Sequence, residues 1–186
     1  MKKIIALLLT LCMALCCVSA LAEALQADGS PVDFDGFILN LEEGVVYQKA
    51  EKQSGQICAI VFPFYASGDL ATNINAIWVD SYGDLTPEAV KADLEESRPT
   101  VEKGITDAGY TLDSYEYTDP VETDFGGIKC IANDNLMKLS QGSVSADIYQ
   151  RVLYFGEKGY IINLSAASAE ALETAVSWLE SVLVWP

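Results

Sequence analysis

From Tyr110 to Ser165 the sequence repeats one pattern: an apolar or alternating run, a turn, then another run. YTLDSYEYT alternates with period two, Pro120 and Gly126-Gly127 mark turns, and GIKCIANDNLMKL follows. Gln141-Gly142-Ser143 makes the next turn, SADIYQRVLYF runs to the hairpin Gly156-Glu157-Lys158-Gly159, and YIINLSA returns. Successive runs joined by such short turns read as antiparallel strands. The chain then closes on a helix, with Ser168 as its cap, Glu170 in its first turn, and Leu172, Val176, Leu179 and Leu183 as an apolar stripe.

The first half of the chain carries fewer such signals. Val32-Asp33-Phe34-Asp35 alternates, Phe37-Ile38-Leu39 continues as a strand, Glu42-Glu43-Gly44 turns, and Val45-Val46-Tyr47 resumes. QICAIVFPFYA is apolar on both faces, which predicts a central strand, and Asn75–Tyr82 predicts another that ends at Gly83-Asp84. A helix follows, with Thr86 as cap, Pro87 at its first position, Glu88 at the positive end of its dipole, and Gly109 as its stop. Val90, Leu94, Val101 and Ile105 fall at helical intervals, while Pro99 predicts a kink or break near Arg98. Strand runs with one helix in the middle and one at the end read as α+β, with helices packed on the apolar faces of a mostly antiparallel sheet. No repeat or low-complexity linker divides the chain, so residues 33–186 read as one domain behind a loose segment, 23–32.

The N-terminus reads as an export signal. Met1-Lys2-Lys3 is positive, a 15-residue apolar run spans Ile4–Val18, and Ala20 and Ala22 supply the small residues of a cleavage site. The run is shorter than the roughly 18–20 residues of a spanning helix. Cleavage between Ala22 and Glu23 is therefore expected, leaving no stable membrane anchor. Cys12, Cys16 and Cys17 would leave with the leader; the residues before them, Leu11, Leu15 and Cys16, do not suit lipidation. With Lys2 and Lys3 removed, 9 basic residues face 27 acidic ones, a net −18 against −16 for the whole chain. That balance repels phosphate backbones and anionic lipid, which argues against nucleic-acid and membrane-surface partners and fits a secreted protein.

Two cysteines remain, Cys58 and Cys130, each inside a strand-like run. Export permits a disulfide between them, which on the loop-entropy model would stabilise by about 4 kcal/mol. Two buried thiols acting as small hydrophobes are the alternative.

Several stretches, taken in this order, resemble the PsbP-like superfamily, which includes the photosystem subunit PsbP, the periplasmic protein DcrB and a Ran-binding import factor. The matching parts are FDGFILNLEEGVVYQ as an opening hairpin, LTPEAVKADLEES as the first helix, GGIKCIA as a strand, and YQRVLYFGEKGYIINLSAASAEALETAVSWLESVLV as a hairpin leading into a terminal helix. The resemblance implies an α/β/α sandwich around a central antiparallel sheet. It also implies action by binding other macromolecules, with no shared active site, and no family binding residue maps onto this chain.

Chemical motifs are sparse. The chain has no histidine, which removes Ser-His-Asp and Cys-His arrangements and histidine metal sites. No nucleophile elbow, P-loop, dinucleotide fingerprint or CxxC occurs. Asp124-Phe125-Gly126 spells a kinase triplet without the glycine-rich loop that would give it meaning. Calcium candidates are Asp33/Asp35, Asp119/Glu122/Asp124 and Asn133/Asp134/Asn135, none of which follows the EF-hand loop spacing. The expectation is a secreted, non-enzymatic binding or accessory protein without a cofactor, its partner a protein or envelope component. The alternative is a small extracytoplasmic hydrolase, or a ligand- or calcium-binding protein, using carboxylates.

Overall fold

Strand pairing begins earlier in the chain than the loose segment 23–32 implies. The computed structural model describes residues 24–69, 71–80 and 85–186. The expected leader with its three cysteines, the cleavage point at Ala22 and Glu23, and the strand end at 81–84 lie outside the described residues. Leu25–Gln26 forms β1 and pairs with β4 (Val46–Lys49), while Ala27 is buried and its N–H donates to the Val45 carbonyl. The segment is therefore partly structured.

The expected opening hairpin is also redistributed. β2 (Val32–Asp33) pairs with β3 (Ile38–Leu39) across a tight turn in which the Phe34 N–H donates to the Phe37 carbonyl and Asp35 has φ 62°. β3 lies in a three-stranded sheet, whereas β4 pairs with β5 (Gln56–Phe62) in the large one.

That large sheet has the order β1-β4-β5-β6-β11-β10-β9-β7, with β8 also pairing β9. Its other members are β6 (Asn73–Trp78), β7 (Thr111–Tyr117), β8 (Val121–Phe125), β9 (Ile128–Gln141), β10 (Val144–Phe155) and β11 (Tyr160–Ala166). Every pairing is antiparallel. β11 is buried along its whole length and β5 and β6 nearly so, as strands covered on both faces are. With two helices beside it, the chain is α+β, as expected.

The first helix, α1 (Pro87–Asp107), starts and stops where local chemistry places it. The Thr86 hydroxyl accepts from the Ala89 N–H at 3.2 Å, and Pro87 takes the first turn. At the other end the Gly109 N–H donates to the Thr106 carbonyl and the Tyr110 N–H to that of Ile105, with Gly109 at φ +86°. This is a Schellman stop. The expected break at Pro99 does not occur, and the helix runs through as one element of 21 residues. Pro99 and Glu95, whose carbonyl loses its donor, both lie on the exposed face, where solvent is within reach of the freed oxygen.

The second helix, α2 (Ala169–Val182), is capped by the Ser168 hydroxyl accepting from the Ala171 N–H at 3.1 Å. Leu183, expected in its apolar stripe, instead leaves the helix with ψ 128° and opens β12 (Leu183–Val184), opposite Leu39 of β3. The C-terminus is thereby tied to the β2–β3 hairpin.

Adjacent residues of the same strand divide between two cores, because side chains alternate across a sheet. Ile161 joins Ile57, Ile77, Ile131, Val152 and Tyr154 under Val90 and Leu94 of α1. Its neighbour Ile162 joins Cys58, Ala76, Leu153 and Phe155 with Leu172, Ala175 and Leu179 of α2. A third cluster places Val101 and Ile105 of α1 over Tyr115, Met137, Leu139 and Ile148.

Candidate functional site

The strand order decides the cysteine question. Cys58 on β5 and Cys130 on β9 are separated by β6, β11 and β10. Four strand spacings place them on the order of 19 Å apart, far beyond bridging distance. The bridge left open by the sequence does not form, and both are buried free thiols. Cys58 sits at a register shift in β5 and donates to the Ala76 carbonyl at 3.4 Å. Burial pushes both thiols up to about 11. Alkylation without reductant is expected to leave Cys58 and Cys130 unmodified in the native protein and to modify both after unfolding, read by peptide mass; no modification of either on unfolding would instead establish the bridge.

Asp33, Asp35, Asp119 and Asp134 of the acidic clusters are taken up structurally. The Asp33 carboxylate accepts from the Asp35 N–H at 2.7 Å, an Asx turn, and Asp35 pairs with Lys49 at 3.2 Å. Asp119 pairs with Lys91 of α1 at 2.6 Å. Asp134 faces away from Asn133 and Asn135, as strand periodicity dictates, and receives Arg151 through two bonds of 2.7 and 2.9 Å. Arg151 also reaches Glu173 of α2 at 2.9 Å, and its two carboxylate partners hold its charge firmly in place. Among the described residues no three His, Cys, Asp or Glu side chains converge on a metal-sized position.

Glu122 and Asp124 remain, and they border a groove. The two-residue turn Gly126-Gly127, at φ +58° and +78°, folds β8 back on β9 with Val121 opposite Ala132 and Phe125 opposite Ile128. Phe125 is buried in the α2-side core and meets Phe155 edge-on at 6.2 Å. That anchoring turns the alternate residues Glu122 and Asp124 to the α1 side. There a cavity of about 600 Å³ has Leu85, Ile131 and Tyr154 on its floor and Glu122, Asp124, Glu157 and Lys129 around its mouth. Burial pushes the Tyr154 hydroxyl well above the usual tyrosine range, so it stays protonated. The groove thus joins an apolar floor to a mostly anionic rim.

A second arrangement went unnoticed in the sequence. On the α1-facing side, Asn163 lies opposite Asn75, Ser165 opposite Asn73, and Gln150 between Ser165 and Asn135. All six, with Asn133, are at most 3% exposed. They bond among themselves: Asn75 Nδ2 donates to Asn73 Oδ1 at 2.9 Å, Asn133 Nδ2 to Asn135 Oδ1 at 2.7 Å, and Gln150 Nε2 to Ser165 Oγ at 3.0 Å. Asn75 Oδ1, Asn133 Oδ1, Gln150 Oε1 and Asn163 Oδ1 accept nothing from the described residues. Amides do not titrate near neutral pH, so this cluster can order donors but cannot move protons. Its signal was parity, since Asn75 and Asn163 share a face with Ile77 and Ile161.

The aromatics around the C-terminus are structural. Trp185 packs on Phe155 at 4.8 Å, Phe37 at 5.8 Å and Tyr160 at 6.0 Å, closing the core beside the C-terminus. The Tyr160 hydroxyl donates to the Asp35 carbonyl at 3.2 Å, pinning the β2 turn.

No family model and no curated protein matches the chain. Among solved structures it is similar to the cyanobacterial PsbP protein (CyanoP) of Synechocystis, with a TM-score of 0.51 at 12% identity over 92% of this chain and 97% of that one. The chain therefore has the PsbP-like fold. LpqN of Mycobacterium tuberculosis, a protein involved in cell envelope biogenesis, is more distant. It gives a TM-score of 0.34 at 16% identity, covering 88% of this chain and 91% of that one.

Proposed function

We propose that this chain is an extracytoplasmic, non-enzymatic accessory protein that binds a protein or envelope component, built as an α/β/α sandwich. The observation that carries the binding reading is the groove beside β8, whose apolar floor and charged rim have the make-up of a recognition surface. The sandwich is supported by the division of each central strand between an α1-side and an α2-side core. Location outside the cytoplasm is supported by the export-type N-terminus; among the described residues no helix is long and apolar enough to cross a membrane. The net charge of −16 argues against a nucleic-acid partner.

The test is capture from the extracytoplasmic fraction of the source cells with the tagged, leader-free chain. A partner retained saturably and displaced by untagged protein is expected. Absence of any saturable partner would overturn the reading. Turnover of a glycan or ester substrate that is lost in Glu122→Gln/Asp124→Asn would instead establish the carboxylate hydrolase.

A further inference from the structure

β10 is paired on both edges over only part of its length. Its ladder with β9 starts at Val144, opposite Gln141, whereas its ladder with β11 starts at Tyr149, opposite Ala166. From Val144 to Ile148 no strand among the described residues lies on its outer edge, and residues 144–147 are exposed. The two-residue turn Gly142-Ser143 makes Gln141 and Val144 a hydrogen-bonded pair. The backbone groups of Val144, Ala146 and Ile148 therefore turn inward to β9, and those of Ser145 and Asp147 turn outward with no strand to receive them.

The side chains of Val144, Ala146 and Ile148 lie on the α1-facing side, where Ile148 joins Leu139 and Ile105. On that side a cavity of about 350 Å³ opens between the end of α1 and the β9–β10 hairpin. Ile105, Tyr110, Leu139, Val144, Ala146 and Ile148 are among its walls, and none of the described residues that line it is charged. Ala146, opposite Leu139, is the smallest of the three β10 side chains and leaves the wall lowest toward the open edge.

We propose that this edge, separate from the groove beside β8, takes an extended segment of a partner protein with a large apolar residue at its centre. The segment runs antiparallel to Val144–Ile148, and its central residue pairs with Ala146. Paired residues share a face with Cβ atoms about 5 Å apart, so a phenylalanine or leucine there passes over Ala146 into the cavity without crossing another strand. Residues opposite Ser145 and Asp147 supply the backbone hydrogen bonds. A basic residue opposite Asp147 complements that carboxylate and the acidic chain as a whole. A second copy of this chain fits less well. Paired about a twofold axis at Ala146, it sets alanine against alanine, leaves the cavity empty and brings two strongly acidic chains together.

A labelled peptide containing Val-Lys-Phe-Thr-Val places its phenylalanine opposite Ala146 and its lysine opposite Asp147. Saturable binding to the leader-free chain, read by fluorescence anisotropy, is expected. Replacing the phenylalanine by alanine, or methylating the lysine and threonine backbone nitrogens that face β10, should each weaken binding by about tenfold or more. Methylating the phenylalanine nitrogen, which faces away, should leave it within about threefold. In the protein, Ser145→Pro removes an outward N–H at an edge position that tolerates proline, and Ala146→Phe blocks the low wall. Each should weaken binding by about tenfold, with circular dichroism verifying that the variants fold. No saturable binding of the parent peptide, equal effects of methylation at the two sets of nitrogens, or binding unchanged in both folded variants would overturn the proposal. So would sedimentation of the free chain as a dimer that Ser145→Pro abolishes, which would assign the edge to a second copy.

Discussion

Phe155→Ala is expected to lower stability by about 3–5 kcal/mol, and the thermal midpoint by about 10 °C. Phe155 is fully buried at the end of β10, where three parts of the chain meet. Its ring faces Phe125 of β8 at 6.2 Å and Trp185 near the C-terminus at 4.8 Å, within the core covered by α2. Truncation removes a large apolar side chain and leaves a cavity whose walls belong to sheet strands that cannot collapse inward. Thermal unfolding followed by circular dichroism measures the loss. A change below about 1 kcal/mol would mean that this end of the core is not packed as described.

Asn75→Asp is expected to be destabilising with a strong dependence on pH. The substitution is nearly isosteric, but it places a carboxyl at a position that is 0% exposed and directly against Asn73 Oδ1. Burial and the facing oxygen both disfavour the charged form, so the folded-state pKa rises above the unfolded value of about 3.9. An acid whose folded pKa is raised removes stability as pH climbs past the unfolded pKa, and the loss levels off above the folded one. A rise of about 3 units gives a loss of about 4 kcal/mol at pH 7 relative to pH 3. Urea unfolding of variant and wild type at both pH values measures it. A difference from wild type that does not grow between pH 3 and pH 7 would mean that the amide cluster is open to water.

The sequence shows these features unequally, and the reason is range. Both helix starts, the Gly109 stop and the turns at Gly126-Gly127 and Gly156–Gly159 depend on residues within a few positions of each other and are legible in the sequence. β2 and β3 fall inside the strand-like runs Val32–Asp35 and Phe37–Leu39, whereas the two-residue β12 is too short for periodicity to register. Leu183 keeps helical spacing in the sequence yet turns out of the helix to meet Leu39, a partner 144 positions away in the chain. The strand order that sets β6 beside β11 is likewise a long-range outcome, and it is what separates Cys58 from Cys130.

The candidate site was half legible. Glu122 and Asp124 stood out as acids, but their grouping with Asp119 ignored the alternation of β8, and Asp119 pairs with α1 instead. Glu157 and Leu85 enter the groove only through the tertiary fold. The amides were overlooked because an asparagine in a strand reads as outward-facing. Counting in twos from Ile77 and Ile161 places Asn75 and Asn163 on the buried side.

Site-directed photocrosslinking tests the groove as the binding surface most directly. A photoactivatable residue replacing Asp124, in the groove rim, is compared with one replacing Glu180, exposed on the outer side of α2. Both are exported in the source cells and irradiated. A single partner adduct at position 124 and none at position 180 is the expected result; adducts at position 180 alone, or at neither position while the partner remains bound, would contradict it.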